Sequence, residues 1–344
     1  MGRSKFLKDL EARLVANPGN ILLPEGNDPR VIETAYLCLS SKITNLVILL
    51  GDQEKMIDLI KESEHRSFIE QNLKDGLIKL IDRNSSVLIS KTKTHLEEVY
   101  KKKKKDVTQE NLYSMASLTQ HQGAYLLSNN EAEACVAGCV LTTADVIRAG
   151  LTGVGLKEGL KTVSSSFLMN RNSDQKSYIY TDCGVVIDPT PEQLVDITAS
   201  SIETFKTLLP ETKPVVAFLS FSTKGSAKHP RQKKMEEAYN LFKEKYPEIE
   251  SEGELQFDAA IDESIGGKKA PGSSVPGRAN IFVFPDLDSG NIAYKITQRL
   301  AGFEAFGPIL QGLDKPYSDL SRGATAEDIY ASCVISILRA RRSD

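Results

Sequence analysis

The segment from Asn280 to Ile329 carries the densest set of residues able to handle an anion. A strand-like run, Ile281 to Phe284, leads into Pro285-Asp-Leu-Asp-Ser-Gly-Asn291. Tyr294, Lys295, Gln298 and Arg299 follow, then Gly307-Pro-Ile-Leu-Gln-Gly312, then Asp319-Leu-Ser321-Arg322-Gly323 ahead of Asp328. Lys295 and Arg299 stand four residues apart and would share one helix face. Ser321 and Arg322, just before a helix start, can aim a hydroxyl, a forked guanidinium and backbone N–H groups at one anion. Asp328 reads equally as a helix cap, and Arg299 equally as half of a surface ion pair.

Other motifs point away from competing chemistries. Gly153-Val-Gly155-Leu-Lys-Glu-Gly159 has its last glycine one residue too late for a dinucleotide fingerprint, and it reads as a turn. Gly266-Gly267-Lys268-Lys269 lacks the spacer and the Ser or Thr of a nucleotide-binding P-loop. The lysines at 101 to 105 read as a solvated face before anything else. Histidines at 65, 95, 121 and 229 form no ligand pair, and the five cysteines, 38, 135, 139, 183 and 333, have no Cys-x-x-Cys spacing. No metal site is expected, and the cysteines read as reduced core thiols.

The elements that must hold these residues follow from patterning. At 344 residues, with 40% hydrophobic and 26% charged, two globular domains are expected. A net charge of −3 gives no footprint for nucleic acid or anionic lipid. The apolar runs are far shorter than a membrane span, residues 1–14 lack a signal-peptide core, and the expected compartment is the cytoplasm. Short β-branched runs alternate with amphipathic stretches, the pattern of an α/β fold. Expected strands are 21–24, 46–50, 78–81, 178–187, 215–220 and 281–284; expected helices include 4–16, 31–40, 91–105, 109–121, 191–209, 231–246 and 325–341. Glycines at 150–159 and the Gly307-Pro308 to Gly312 stretch mark two domain boundaries.

From Ile281 through Gly323 the chain resembles the phosphate acetyltransferase family. The likeness extends to Leu22-Leu-Pro-Glu-Gly26 with Arg30, to Thr142-Thr-Ala-Asp-Val-Ile-Arg148, to Val163-Ser-Ser-Ser-Phe-Leu-Met169 and to Thr181-Asp-Cys-Gly184. The resemblance implies a two-domain α/β fold of the isocitrate and isopropylmalate dehydrogenase type, with an interdomain active site and a homodimer. Residues 1–150 and 312–344 would form one domain, completed by the C-terminal helix, and 151–311 the other. The implied reaction moves acetyl between coenzyme A and inorganic phosphate through acetyl phosphate, without a tightly bound cofactor and with a pathway link to acetate kinase.

Residue roles follow from the same resemblance. Asp328 would take the coenzyme A thiol proton, Ser321 would donate to the acetyl oxyanion, and Arg322, Arg299 and Arg148 would hold phosphate. Lys295 and Tyr294 join the substrate-binding set. Lys102 stands where the family carries an arginine, so charge is kept and bidentate geometry lost. Ser165 and Ser166 are expected to help bind phosphate or coenzyme A, with turn and cap chemistry as the plainer reading. The residues holding the coenzyme A nucleotide are not identifiable. A butyryl-preferring sibling is the near alternative, since one methylene is worth only about 1–3 kcal/mol. A decarboxylating dehydrogenase and a catalytically silent regulatory module are more distant alternatives.

Overall fold

Helix starts in this chain are written by short polar side chains. Ser4, Asp28, Asp52, Ser85, Thr108, Thr142, Thr190, Asp262, Asp286 and Thr325 each accept a backbone N–H from the first turn they precede. Each satisfies a donor that the first turn of a helix cannot pair internally. The computed structural model describes residues 3–341, and the chain divides into two compact units, Met1–Glu158 with Leu313–Asp344, and Gly159–Gly312. Residues 1, 2 and 342–344, at the ends of the expected first domain, lie outside the described residues.

In chain order the first unit holds α1 (Lys5–Val15), β1 (Gly19–Leu23), α2 (Pro29–Ser40), β2 (Thr44–Gly51), α3 (Gln53–Glu62), α4 (Arg66–Lys74), β3 (Ile78–Asp82), α5 (Ser86–Lys102), α6 (Gln109–Ala116), α7 (Thr119–Ser128), β4 (Ala134–Val136) and α8 (Thr143–Ala149). The second unit holds β5 (Ser164–Arg171), β6 (Lys176–Thr181), α9 (Pro191–Leu208), β7 (Val215–Leu219), α10 (Pro230–Lys245), β8 (Glu250–Leu255), α11 (Phe257–Ile261), α12 (Glu263–Lys269), β9 (Ile281–Val283), α13 (Leu287–Leu300) and β10 (Glu304–Gln311). The chain then returns to the first unit for β11 (Tyr317–Ser318) and α14 (Ala326–Ala340).

The first unit's sheet is parallel in the order β11-β4-β1-β2-β3. The chain builds outward from β1 through β3 and then returns to β1's other side, so the strand order reverses between β1 and β4. A crevice at the carboxyl ends of these two strands is where an open α/β sheet is expected to take a ligand. The second unit's sheet runs β10-β5-β6-β9-β7-β8; β10 is antiparallel to β5 and β5 to β6, and the remaining pairs are parallel.

Several expectations are corrected. The run 178–187 is strand only to Thr181, because Asp182 gathers the next backbone N–H groups onto its carboxylate. The expected helix 109–121 is two helices, broken at Ser117 and Leu118. The glycine stretch read as a turn begins as a π-helical turn, Gly150–Val154, continuing α8. Gly307 and Pro308 lie within β10, where they shift its register against β5; the change of unit falls after Gly312. Gly312 has φ +86, and a Cβ there would stand 2.3 Å from the Thr162 carbonyl oxygen, so glycine is required.

Candidate functional site

At the carboxyl ends of β1, β4 and β11, three loops meet within the first unit. After β1, the buried Glu25 carboxylate accepts four backbone N–H groups: Gly138 and Cys139 at Oε2 (2.8 and 2.9 Å), and Val140 and Leu141 at Oε1 (2.8 and 2.7 Å). The Cys139 thiol donates to Oε2 as well, at 3.1 Å, and burial with this carboxylate pushes that thiol well above its ordinary pKa. A ring of N–H groups at this point of the sheet is what other α/β folds offer a phosphate. Here the protein fills it with its own carboxylate, and the effect is to fix the loop that delivers Thr142, the N-cap of α8.

Arg30, in the first turn of α2, spends all five of its guanidinium N–H donors inside the unit. Nε and Nη2 make a fork on Asp28 (2.9 and 2.8 Å), Nη2 also reaches the Cys139 carbonyl (2.9 Å), and Nη1 reaches the carbonyls of Arg322 (3.0 Å) and Ala324 (2.7 Å). The fork raises Arg30 and, through the same hydrogen bond, holds Asp28 below the usual carboxylate range. The turn carrying Ser321 and Arg322 is therefore anchored from behind by its carbonyls. Its side chains stay exposed, with Ser321 Oγ accepting the Gly323 N–H at 3.3 Å.

Asp328 is exposed in the first turn of α14 and closes a capping box with Thr325. Its Oδ2 accepts from the Thr325 N–H and hydroxyl, both at 2.9 Å, while its own N–H donates to Thr325 Oγ1 at 3.2 Å. The cap reading is thus realised, and it occupies a single carboxylate oxygen. Arg148, near the end of α8, is largely exposed and pairs with Asp145 at 3.0 Å, a weak surface pair that an incoming anion can displace. Burial and the Arg148 charge push the nearby His121 down to about 4, so it stays neutral at working pH. Lys102 ends α5 and is exposed; it is Lys103 whose Nζ donates to the Leu151 carbonyl, at 2.8 Å.

In the second unit, Lys295 and Arg299 are both exposed on α13, with Lys295 Nζ donating to Asn291 Oδ1 at 2.6 Å. Tyr294 stacks on Phe167, ring centroids 3.8 Å apart. Ser165 and Ser166 lie in β5 rather than in a turn, and neither is accessible. Ser165 Oγ donates to Asp182 Oδ1 (2.7 Å), and Ser166 Oγ accepts from Gln311 Nε2 (2.8 Å). Their partners are thus the unit's own polar groups, which corrects the expectation that they face a substrate. Asp182 repeats the device of Glu25, accepting the N–H groups of Gly184, Val185 and Val186 besides those of Ser165. Glu25, Arg30 and Asp182 stand inside the sequence blocks that carry the family resemblance, yet nothing in spacing assigns them these partners.

A two-unit α/β chain with exposed arginines and a carboxylate grouped around loops at a parallel sheet's carboxyl end has the makings of an enzyme for anionic substrates. The chain belongs to the phosphate acetyl/butaryl transferase family, whose sequence profile matches residues 5–337. It is 37% identical over 331 residues to the phosphate acetyltransferase of Bacillus subtilis, covering 96% of this chain and 98% of that one. A phosphotransacetylase from Streptococcus pyogenes superposes with a TM-score of 0.87 at 37% identity over the whole of both chains. A 4-hydroxythreonine-4-phosphate dehydrogenase from Burkholderia phymatum shares the fold, at TM-score 0.51 and 12% identity over 95% of this chain. The fold is therefore the two-domain, dehydrogenase-like α/β type.

Proposed function

We infer that this chain is a phosphate acetyltransferase, catalysing acetyl-CoA + phosphate = acetyl phosphate + CoA. The observation that carries the reading is the junction of the Arg30-anchored Ser321–Arg322 turn with the Asp328 helix start. In the direction that forms acetyl-CoA, the coenzyme A sulfur forms a bond to the acetyl carbon of acetyl phosphate and the carbon–oxygen bond to phosphate breaks. The thiol proton passes to a base, for which Asp328 is assigned, and the leaving phosphate takes its electrons onto oxygen. A free thiol, with a pKa near ~8.5, is mostly protonated at neutral pH, so a base raises the thiolate fraction.

Arg322 and Arg148 are assigned to phosphate with Arg299, and Lys102 to the same charge; Lys295 and Tyr294 complete the set. Ser321 donates to the carbonyl oxygen as it becomes an oxyanion. Buried Cys38, Cys135, Cys139, Cys183 and Cys333 need not act as nucleophiles, because direct transfer requires no acetyl-enzyme. The assembly is assigned as a homodimer, supported by Ile292, Ile296 and Leu300, a helical stripe of exposed apolar side chains on α13. Among the described residues no helix is long and apolar enough to cross a membrane, and no cluster of three His, Cys, Asp or Glu is placed for a metal.

The test is acetyl-CoA formation from acetyl phosphate and coenzyme A, without added metal, beside butyryl phosphate and an Arg322→Ala control. Rapid acetyl transfer lost in the control supports both the reaction and its anchor. Faster butyryl transfer would move the assignment to the sibling activity, and no transfer with either donor by a folded sample would refute it.

A further inference from the structure

Asp319 lies two residues before Ser321, at the carboxyl end of β11, and no role above uses it. The residue is 1% exposed. Its Oδ2 accepts from Thr143 Oγ1 at 2.7 Å, and Thr143 is the first residue of α8, the helix that ends in Arg148. Its Oδ1 is buried without a hydrogen-bond partner. That oxygen sits over Gly138, where φ is +106 and a Cβ would fall 2.4 Å from it. Gly138 in turn gives its N–H to Glu25, so a single glycine separates two buried carboxyl groups.

Three kinds of neighbour bear on the charge of this group. Glu25, after β1, is a second carboxylate; Cys139, after β4, and Tyr317, on β11, are both pushed up by burial and stay neutral. Thr143 on α8 brings a donor but no charge. Burial, opposed by the Thr143 hydroxyl and by the Leu320 backbone N–H and aided by Glu25, pushes Asp319 up to about 6.

We propose that Asp319 is a positioning residue for phosphate: its carboxyl ties the Ser321–Arg322 turn to the Arg148 helix, and its proton sets how much negative charge the incoming anion meets. The proposal rests on the assignment of Arg322 and Arg148 to phosphate. When Asp319 is neutral, the Thr143 link holds and Glu25 stands alone behind the turn. When it ionises, a second negative charge appears beside Glu25, and an anion at Arg322 is disfavoured. Linkage makes the effect reciprocal, so a bound anion favours the protonated carboxyl.

Sulfate is the probe, because its charge is constant where phosphate's is not. Its inhibition constant against phosphate is measured from about pH 5.5 to about pH 7.5, a window in which His121, near Arg148, does not titrate. The wild type should weaken roughly fivefold as pH rises, a modest like-charge effect in a partly screened site. Asp319→Asn should hold the tight, low-pH value throughout, with kcat little changed. Thr143→Val removes a donor that lowers the Asp319 pKa, so its inflection should move to higher pH; this variant serves also if Asp319→Asn does not fold. A wild-type profile that is flat, or one that Asp319→Asn and Thr143→Val leave in place, overturns the proposal while the phosphate assignment stands. Sulfate that fails to compete with phosphate, and is indifferent to Arg322→Ala, overturns both.

Discussion

Replacing Glu25 with glutamine is the sharpest perturbation of the scaffold behind the site, because it changes little in volume and much in hydrogen bonding. Each carboxylate oxygen accepts two backbone N–H groups, at 2.7 to 2.9 Å. A glutamine has one acceptor oxygen, so whichever way the amide turns, its NH2 faces two N–H donors. Two bonds to a charged acceptor are lost and two donors are orphaned, either the buried Gly138 and Cys139 N–H groups or the part-buried Val140 and Leu141 ones, while the remaining two bonds weaken to neutral ones. At about 1–3 kcal/mol for each unsatisfied buried donor, the loss comes to about 3–6 kcal/mol. A unit of this size loses about 2–4 °C per kcal/mol, which places the fall in Tm at about 6–24 °C. The chain has no tryptophan, so far-UV circular dichroism and calorimetry are the suitable probes. The same variant should raise KM for phosphate, since the 138–141 loop leads into α8 and Arg148. A Glu25→Gln protein that unfolds within about 1 kcal/mol of wild type would refute the view that this carboxylate organises the crevice.

Asp328→Asn keeps an acceptor for the Thr325 cap, so it should cost under about 1 kcal/mol of stability. If Asp328 is the base proposed above, its loss should lower kcat about 100-fold or more, and unchanged turnover in stopped assays would place the base elsewhere. Arg30→Lys cannot make the five bonds of the fork; the Ser321–Arg322 turn should loosen, with KM for phosphate rising about 10-fold and kcat falling less. Lys102→Ala should raise KM for coenzyme A or phosphate, and unaltered constants for both would discard Lys102 as the arginine's substitute. Stability should depend on pH through two buried groups of opposite sign. His121, pushed down to about 4, contributes stability that is full above its ordinary value and lost as pH falls toward 4. Asp319, pushed up to about 6, contributes stability that is full below the ordinary carboxylate value and lost as pH rises through 6. Asp319→Asn should therefore gain on wild type by about 3 kcal/mol between pH 4 and pH 7 in urea titrations, and a constant gap would contradict it.

The elements legible in the sequence were those whose pattern is local. Val215 to Leu219 is apolar at every position and is strand; α9 carries Pro191 in its first turn and a Thr190–Gln193 box, and α14 opens on Thr325 and Asp328. Elements that escaped are polar where they are buried. β5 begins with three serines, each buried, and their hydroxyls are satisfied by Asp182 and by Gln311 from distant parts of the chain. β8 is absent from the expected strands and carries Glu250, Glu252 and Glu254, yet Glu252 is paired with Lys224, and Glu254 accepts from Ser222 and Gly225. β10 contains Gly307 and Pro308, which suggested a boundary rather than a strand.

The same division runs through the site. Arg322, Ser321, Asp328, Arg299 and Arg148 are exposed side chains, and the sequence blocks that contain them were enough to identify the family. The sequence by itself thereby determined the α/β class and the family. Tertiary structure alone decided what stands behind them: Glu25 filling the ring of N–H groups, Arg30 gripping the turn by its carbonyls, Asp319 bridging to α8, and Ser165 and Ser166 withdrawn into β5. These are bonds between backbone groups and buried charges far apart in the chain. Backbone N–H and C=O groups are the same in every residue, so no pattern of side-chain types can reveal which carboxylate or guanidinium will collect them.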